Sequence, residues 1–360
     1  MSGDVLSGLR PEIASLEGYQ MPSPTAGEPP NLIRLDANEN PYGPVPAVRE
    51  ALARADLWHR YPEPSYLEAR QALARYCGAP AERIALGNGS DELIDLVVRL
   101  FVSPGDRVLS FPPTFDMYSV YTEIMGGQVV EVPRDGCFEV DLEAARRALD
   151  DRTKLAFLAS PNSPTGNLAD PSIVQALADL APILVLDEAY AEFAGRSGLP
   201  LALERDNVIV LRSLSKWAGL AGLRVGYGVF PPALVPFVNS LRSPYNVNQA
   251  AQLAVQATMA HVDVALARVR QIAEERDRLV KALAAFPFLR PYPSQTNFVL
   301  AEVLGLEASA LQMEVARRGV VIRRYSQPRL RCYLRIGVGT PAENQALLEA
   351  LEEAAAALGA

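Results

Sequence analysis

Short apolar runs alternate with amphipathic, helix-like segments through the middle of the chain. The runs occupy residues 84–86, 107–111, 128–132, 154–160, 183–189, 208–213 and 225–230. Each run has the length of one strand, and turn residues and a helix-like segment separate it from the next. This alternation predicts an α/β fold with a large, mostly parallel sheet that helices cover.

The two ends of the chain have different patterns. An alanine-rich stretch from about 248 to 285 predicts one long helix. The apolar runs that follow it predict a smaller α+β domain and lie at 296–303, 319–326 and 331–338. The proline-rich residues 20–31 predict an extended arm. We therefore expect an arm of residues 1–35 that packs with the small domain or a partner subunit, a large domain of residues 36–247, and a linker helix with the small domain in residues 248–360.

Composition and charge narrow the function classes. With 360 residues, 49% hydrophobic and 21% charged, the chain has an ordinary globular composition and more length than one core usually spans. A net charge of −8 argues against nucleic acid or an anionic membrane as the main partner. Two histidines are a poor supply for a metal site, and three scattered cysteines favour a reduced, cytoplasmic setting. We also expect no signal peptide and no membrane span.

Lysine is rare in this chain, and one lysine stands in an unusual place. Only Lys154, Lys216 and Lys281 occur among 34 basic residues. Lys216 lies in the Ser/Gly-rich stretch "LRSLSKWAGLAGLRVG" at 211–226. Arginine stays protonated, whereas a lysine can become a neutral amine that attacks a carbonyl. From this stretch alone, a reactive amine and a surface lysine beside a turn both remain open.

Three further stretches place polar groups where α/β proteins bind ligands, at the carboxyl ends of strands. In "ILVLDEAY", Asp187 ends an apolar run and Tyr190 follows it. In "GNGSDE", the backbone N–H groups of Gly89, Ser90 and Asp91 open a helix and form a candidate anion cradle. "LASPNSPTG" follows the run at 154–160. Each alone also fits a structural role, as a helix cap, a glycine turn or a proline turn.

Together these signals, in this order, resemble the fold type I pyridoxal-phosphate (PLP) aminotransferases. The similarity also covers "LDANENPYG" at 35–43, "YPEP" at 61–64, "PPTFDMY" at 112–118 and "YLRIGVGT" at 333–340. Within that family, the chain looks most like the histidinol-phosphate aminotransferase branch. The resemblance implies PLP as cofactor, no metal, and a homodimer with shared active sites.

The resemblance also implies a role for each matching residue. Lys216 would hold the cofactor covalently and move the proton of the reaction. Asp187 would pair with the pyridine nitrogen, and Tyr190 would hydrogen-bond the ring O3′. The implied phosphate-binding groups are the N–H groups at Gly89, Ser90 and Asp91, the serines Ser213 and Ser215, the guanidinium of Arg224, and Tyr61, which would reach the phosphate of the neighbouring subunit.

One position departs from the family pattern Asn-Asn-Pro-Thr-Gly. Here the stretch reads Asn162-Ser163-Pro164-Thr165-Gly166, so Ser163 replaces an asparagine that bonds O3′ and the substrate carboxylate. A serine hydroxyl is shorter and lacks the two N–H donors of an amide. Either Ser163 acts through a water, or Asn162 takes over the contact. Nearby, Phe115 matches an aromatic residue that stacks on the pyridine ring.

The implied substrate groups are mostly arginines near the C-terminus. Arg335 matches the arginine that binds the substrate α-carboxylate as a fork, and Arg323 matches the position that binds the phosphate of histidinol phosphate. Asn38 and Tyr19 are implied as further substrate-side residues. We expect Arg324 and Arg329 to form a solvated basic edge.

The predicted function is therefore a cytoplasmic, homodimeric aminotransferase that exchanges an amino group between histidinol phosphate and 2-oxoglutarate. An aromatic or broad-specificity aminotransferase and a threonine-phosphate decarboxylase remain alternatives, and Ser163 keeps the second one open. A non-catalytic small-molecule-binding or regulatory protein on the same fold is a more remote alternative.

Overall fold

The computed structural model describes residues 5–16, 18, 32–56 and 58–359. Its strands, in chain order, are β1 Ile33–Leu35, β2 Ile84–Gly87, β3 Arg107–Ser110, β4 Gln128–Glu131, β5 Thr153–Ala159, β6 Leu184–Asp187, β7 Val208–Ser213, β8 Gly226–Val229, β9 Leu289–Pro291, β10 Phe298–Val303, β11 Val320–Arg324 and β12 Tyr333–Gly337. Within these ranges they form two sheets, one of seven strands and one of five.

Helices fill most of the remaining chain. In chain order they are α1 Pro11–Ala14, α2 Pro46–Arg54, α3 Leu67–Cys77, α4 Ser90–Phe101, α5 Met117–Ile124, α6 Leu142–Ala148, α7 Pro171–Leu180, α8 Ala191–Ala194, α9 Leu199–Glu204, α10 Val235–Leu241, α11 Gln249–Ala260, α12 Val262–Leu283, α13 Ala308–Arg317 and α14 Pro341–Ala357. Short 3-10 helices lie at Val5–Gly8, Ala81–Arg83, Ala221–Leu223 and Pro328–Leu330. No helix in the described ranges combines the length and the apolar character needed to cross a bilayer.

The large sheet confirms the mostly parallel arrangement predicted from the sequence. Its order is β2-β8-β7-β6-β5-β3-β4, and only β8 runs antiparallel to its neighbours among the described strands. Alternate residues of one strand enter two different cores: in β6, Val185 packs with α4 and α5, whereas Leu184 and Leu186 pack with α6 and α7. Because both faces are covered, the strands read as continuous apolar runs.

The small sheet combines both ends of the chain. Its order is β1-β11-β12-β10-β9, and β1 pairs in parallel with β11. Residues 33–35, which the sequence analysis assigned to the arm, are therefore a strand of this sheet. The proline-rich stretch 20–31 and Tyr19 lie outside the described residues. The domain limits at 35/36 and 247/248 stay predictions.

The stretch predicted to be helical over about 248–285 is helical in the structure but consists of two helices, not one. The chain forms α11 and α12, and His261 interrupts them with φ −128° and ψ 37°. Alanine-rich composition favours helix throughout this stretch, so the local pattern does not reveal the break. The residues of α12 that face inward, such as Val269 and Ile272, pack into the core of the small sheet.

A buried ion-pair cluster lies behind the carboxyl end of β6. The guanidinium of Arg212 donates from Nε to Glu188 Oε2, from Nη1 to Glu192 Oε1 and from Nη2 to Ser197 Oγ, each at 2.8 Å. The side chains of Arg212, Glu188 and Glu192 are 8%, 2% and 3% exposed. One cation thus holds two carboxylates that flank Tyr190 in the turn after β6.

We expect Arg212→Met to lower the free energy of unfolding by about 3–5 kcal/mol, because it leaves two buried carboxylates without their cation. The matched control is Arg205→Met, which removes an ion pair between the partly exposed Arg205 and Asp179 and should cost no more than about 1 kcal/mol. Urea unfolding of both variants measures the difference, and equal losses would contradict a structural role for the buried cluster.

Candidate active site

One cavity of about 560 Å³ lies where the carboxyl ends of the parallel strands meet the small sheet. It brings together most of the residues that the sequence singled out. They are Asn38, Ser90, Asp91, Phe115, Ser163, Asp187, Tyr190, Ser213, Ser215, Lys216, Arg224, Arg323 and Arg335. This is the edge at which open α/β sheets bind ligands.

Asp187 is the last residue of β6, and its carboxyl group is buried in the cavity wall. The Tyr118 hydroxyl donates to Oδ2 at 2.6 Å, and the Ala189 amide donates to Oδ1 at 3.1 Å. Burial raises the pKa of Asp187 to about 6, although the two hydrogen bonds oppose the shift. Both partners are uncharged donors, so this carboxyl group suits a ligand that supplies a positive charge beside it.

Tyr118 is a site residue that the sequence analysis did not assign. It lies on α5, three residues after Phe115, and its ring meets Phe115 edge-on with the centroids 5.7 Å apart. Phe115 lies before α5, so the two residues do not share a helical face by spacing, and the sequence offered no signal for Tyr118. Tyr118 also stacks on Phe157 at 4.6 Å, so its hydroxyl is held in position against Asp187.

Lys216 lies in a rigid loop after β7. Its Nζ atom donates to the Ala37 carbonyl at 2.9 Å. The next residue, Trp217, is buried, and its carbonyl accepts from Asn40 at 2.9 Å. Gly219 has φ +68°, and a Cβ there would lie 2.5 Å from the Gly43 carbonyl carbon. The packing of this loop therefore fixes the direction of the Lys216 side chain.

Except for Tyr61, the groups predicted to bind phosphate lie together at the N-terminus of α4. The side chain of Arg224 donates from Nη2 to Asp91 Oδ2 at 2.8 Å and lies 3.5 Å from Ser215 Oγ. A Cβ on Gly226 would come within 2.5 Å of the Ser90 nitrogen. A Cβ on Gly89 would come within 2.6 Å of the Arg224 guanidinium. These glycines let the helix N-terminus, the serines and the guanidinium converge, as anion binding requires.

Asn38 and Tyr190 form a buried, hydrogen-bonded pair in the lining of the cavity. Asn38 has φ +54° and donates from Nδ2 to the Tyr190 hydroxyl at 3.0 Å. Its carbonyl accepts from Asn297 Nδ2 at 2.9 Å. Asn297 belongs to the segment before β10, and the sequence offered no signal for this contact. The Tyr190 hydroxyl keeps its proton available for a second partner.

Asn162 requires a correction, because the structure places it outside the cavity lining. It is fully buried. Its Nδ2 donates to the Pro113 carbonyl at 2.9 Å and to Thr165 Oγ1 at 2.6 Å, and its Oδ1 accepts from Thr114 at 2.8 Å. Asn162 thus joins two loops and does not take over the contact of the missing asparagine. Ser163 does line the cavity.

Arg335 and Arg323 reach the cavity from paired positions of β12 and β11. Arg335 donates from Nη2 to the Asp36 carbonyl at 2.6 Å and from Nη1 to Ser163 Oγ at 3.4 Å. The guanidinium of Arg335 also lies over the Phe298 ring at 5.4 Å. Among the described residues, its buried Nε atom has no hydrogen-bond partner. Arg335 therefore has donor capacity left for an anion.

The structure places a further predicted residue outside the cavity lining, and another lies outside the described residues. Tyr61 is 80% exposed and stacks on Tyr245 with the ring centroids 4.5 Å apart. Tyr19 falls outside the described residues. Arg329 is exposed, as expected, and its guanidinium also donates to main-chain carbonyls beside the large sheet, including that of Pro112 at 3.1 Å. Arg324 is exposed, as expected.

Comparisons with known proteins place the chain in a family. The family model described as aminotransferase class I and II matches residues 30–351. The chain belongs to this aminotransferase family. The histidinol-phosphate aminotransferase of Roseiflexus castenholzii is 45% identical to it, over 99% of this chain and 100% of that protein. The enzyme of the same name from Dehalococcoides mccartyi (strain ATCC BAA-2266 / KCTC 15142 / 195) is 42% identical, over 98% and 99%.

The fold of this aminotransferase also has a solved counterpart. The crystal structure of histidinol-phosphate aminotransferase from Sinorhizobium meliloti in complex with pyridoxal-5′-phosphate is 31% identical, with a TM-score of 0.90 and 99% of each chain covered. The comparisons confirm two predictions from the sequence: the fold type I architecture and the resemblance to histidinol-phosphate aminotransferases.

The raised pKa of Asp187 makes the stability of the cofactor-free aminotransferase depend on pH. In the folded chain the pKa of this carboxyl group is raised to about 6, compared with 3.8 for an unperturbed aspartate. The native state therefore binds more protons than the unfolded state between these values, and stability is lost as the pH rises through this window.

We expect Asp187→Asn, which cannot ionise, to gain about 3 kcal/mol relative to the wild type between pH 4 and pH 8. Urea unfolding of both cofactor-free proteins across this range measures the change. The control is Asp179→Asn, which alters a half-exposed carboxylate and should produce no comparable slope. A difference between Asp187→Asn and wild type that stays constant with pH would contradict the raised pKa.

Proposed function

We propose that this aminotransferase uses PLP and transfers the amino group of L-histidinol phosphate to 2-oxoglutarate. The observation that carries the proposal is the arrangement of one cavity: Lys216 and the buried Asp187 lie on the large-sheet side, and Arg335 and Arg323 lie on the small-sheet side. The relatives that share the whole length of the chain are named histidinol-phosphate aminotransferases, which supports the same substrate.

The lining groups fit PLP. A helix N-terminus, three serines and Arg224 form an anion cradle that suits the cofactor phosphate. The buried carboxyl group of Asp187 has only uncharged hydrogen-bond donors as partners, which suits a protonated pyridine nitrogen. The amine of Lys216 lies in the same cavity and suits the aldehyde. The Phe115 ring lines the cavity as well and provides an apolar surface for the pyridine ring.

The chemistry that PLP supplies when bound is an electron sink for the substrate carbon that carries the amino group. Asp187 would keep the pyridine nitrogen protonated, and the Tyr118 hydroxyl would hold that carboxylate in place. Lys216 Nζ would take the proton from the substrate carbon that carries the amino group and deliver it to C4′ of the cofactor, since its amine lies in the same cavity. Tyr190, whose hydroxyl accepts a hydrogen bond from Asn38, would itself donate a hydrogen bond to O3′ of the pyridine ring.

The two arginines of the small sheet would select anionic substrates. Arg335 would bind the α-carboxylate of glutamate and 2-oxoglutarate with its free donors, and the neighbouring Ser163 hydroxyl is placed to bind the same group. Arg323 would bind the phosphate of histidinol phosphate. A substrate with a phosphate on its side chain would form charge-assisted hydrogen bonds with an arginine at position 323, whereas a plain aromatic substrate offers it no anion.

We further propose a homodimer with shared active sites and a cytoplasmic location. The resemblance to the family implies that Tyr61 reaches the phosphate bound by the partner subunit. In the single chain Tyr61 is exposed and stacks on Tyr245, as expected for a residue that a partner subunit would cover. Cys77, Cys137 and Cys332 are free thiols, which agrees with a reducing compartment.

The first test is a visible absorption spectrum of the purified protein, followed by addition of L-histidinol phosphate. We expect a yellow protein that loses its long-wavelength band with this donor and regains it with 2-oxoglutarate. Lys216→Ala should abolish steady-state turnover, because no other group supplies the amine. A yellow protein that ignores histidinol phosphate would overturn the substrate, and release of CO₂ from phosphothreonine would favour the decarboxylase alternative. A protein that binds no PLP would overturn the cofactor as well.

The second test separates phosphate recognition from general charge. We expect Arg323→Gln to raise the KM for histidinol phosphate roughly 10- to 100-fold, since a charge-assisted hydrogen bond is worth about 1.5–3 kcal/mol, while L-histidinol, which lacks the phosphate, reacts as before. Arg324→Gln removes a neighbouring exposed charge and serves as the control. Steady-state kinetics with both donors decides, and equal effects of the two substitutions would contradict a specific phosphate contact.

A further inference from the structure

The segment between β11 and β12, residues 325–332, is here named the arginine loop. It connects the two strands that carry Arg323 and Arg335. Its course therefore influences how both candidate substrate-binding arginines are placed. It contains the 3-10 helix Pro328–Leu330, whose Leu330 is buried.

The arginine loop is bound to the large domain by side-chain contacts. The guanidinium of Arg329 donates from Nη1 to the Pro112 carbonyl at 3.1 Å and from Nη2 to the Asp135 carbonyl at 3.0 Å, and it also contacts the Arg134 carbonyl. Gln327 Nε2 donates to Asp116 Oδ1 at 3.0 Å. Pro112 and Asp116 bracket Phe115, which lines the cavity.

A second, buried arginine supports the surface on which Arg329 rests. Arg134 is only 2% exposed, and burial lowers its pKa to about 10. It donates from Nε to the Phe111 carbonyl and from Nη1 to the Phe138 carbonyl, both at 3.1 Å. The inner arginine joins the loops after β3 and β4, and the outer arginine attaches the small sheet to those same loops.

Arginine is the residue type that this contact requires. Its planar fork presents several N–H donors at fixed angles, so one side chain satisfies carbonyls of both loops at once. A lysine ammonium would keep the charge but could not reproduce this set of directions. The contact therefore depends on the shape of the guanidinium as well as on its charge.

We propose that Arg329 is a positioning residue that anchors the arginine loop to the loops around Phe115 and so sets Arg323 and Arg335 for anionic substrates. The proposal rests on the proposed function, because it takes these two arginines as the substrate-binding groups. The groups that would hold the cofactor, Lys216, Asp187 and Arg224, belong to the large domain. Loss of the anchor therefore affects mainly substrate binding and leaves these three cofactor-binding groups in place.

The first measurement is steady-state kinetics of the PLP-loaded Arg329→Ala variant. We expect KM to rise roughly 10-fold or more for both histidinol phosphate and 2-oxoglutarate, with kcat and the absorption spectrum little changed, since binding common to ground and transition states is lost. Arg324→Ala removes the same charge from the same edge but no such anchor, and should leave KM within about 2-fold. Arg329→Lys should resemble Arg329→Ala. Equal KM changes in Arg324→Ala and Arg329→Ala, or rescue by lysine, would overturn positioning in favour of simple charge attraction.

The second measurement does not depend on turnover. In hydrogen–deuterium exchange of the holoenzyme, Arg329→Ala should increase deuterium uptake in peptides covering 112–116 and 134–138, and Arg324→Ala should not. Unchanged uptake in Arg329→Ala would overturn the anchor even if KM rises. If the wild type fails to use histidinol phosphate while the uptake changes as expected, the proposed function fails and the anchor stands.

Discussion

The site depends on one unfavourable placement, the burial of the Asp187 carboxyl group at the end of a central strand. A carboxylate in such a position costs free energy unless a cation or hydrogen-bond donors compensate it. The chain supplies two uncharged donors, from Tyr118 and Ala189, and these leave the pKa of Asp187 raised. The protein thus keeps a buried carboxyl group that, among the described residues, lacks a cationic partner, which a positively charged group of a ligand would supply. The neighbouring cavity is large enough for such a ligand, and its anion cradle suits a phosphate on the same ligand.

The arginines around Asp187 differ in position, because one lies behind β6 and the others line the cavity in front of it. Behind β6, Arg212 is fully engaged with Glu188, Glu192 and Ser197, so it fixes the turn but does not neutralise Asp187. In front of it, Arg224, Arg323 and Arg335 line the cavity, and Arg335 keeps an N–H group that has no partner in the described part of the chain. An acidic chain with a net charge of −8 therefore places three arginines in the cavity where a phosphate and carboxylates are expected to bind.

The sequence predicted what depends on neighbours along the chain. The apolar runs predicted the large-sheet strands, and Lys216, Asp187 and Arg224 were identifiable because each stands in a distinctive local stretch at a strand end or turn. What failed depends on contacts between distant segments. The break at His261, the burial of Asn162 between two loops and the Tyr118–Asp187 bond leave no local pattern. The exposure of Arg329 was expected, but its bonds to carbonyls about 200 positions away were not.

Arginines that bind backbone carbonyls explain how two sheets, built from different parts of the chain, form one site. Parallel strands deliver their loops to one edge of the large sheet, but nothing in that geometry fixes the distance to the small sheet, whose strands come from both chain ends. Arg83 and Arg134 secure large-domain segments to each other through main-chain carbonyls. Arg329 uses the same type of bond across the boundary between the sheets. Because carbonyl acceptors do not depend on side-chain identity, the bonds of Arg329 can persist while the side chains that line the cavity change to match the substrate.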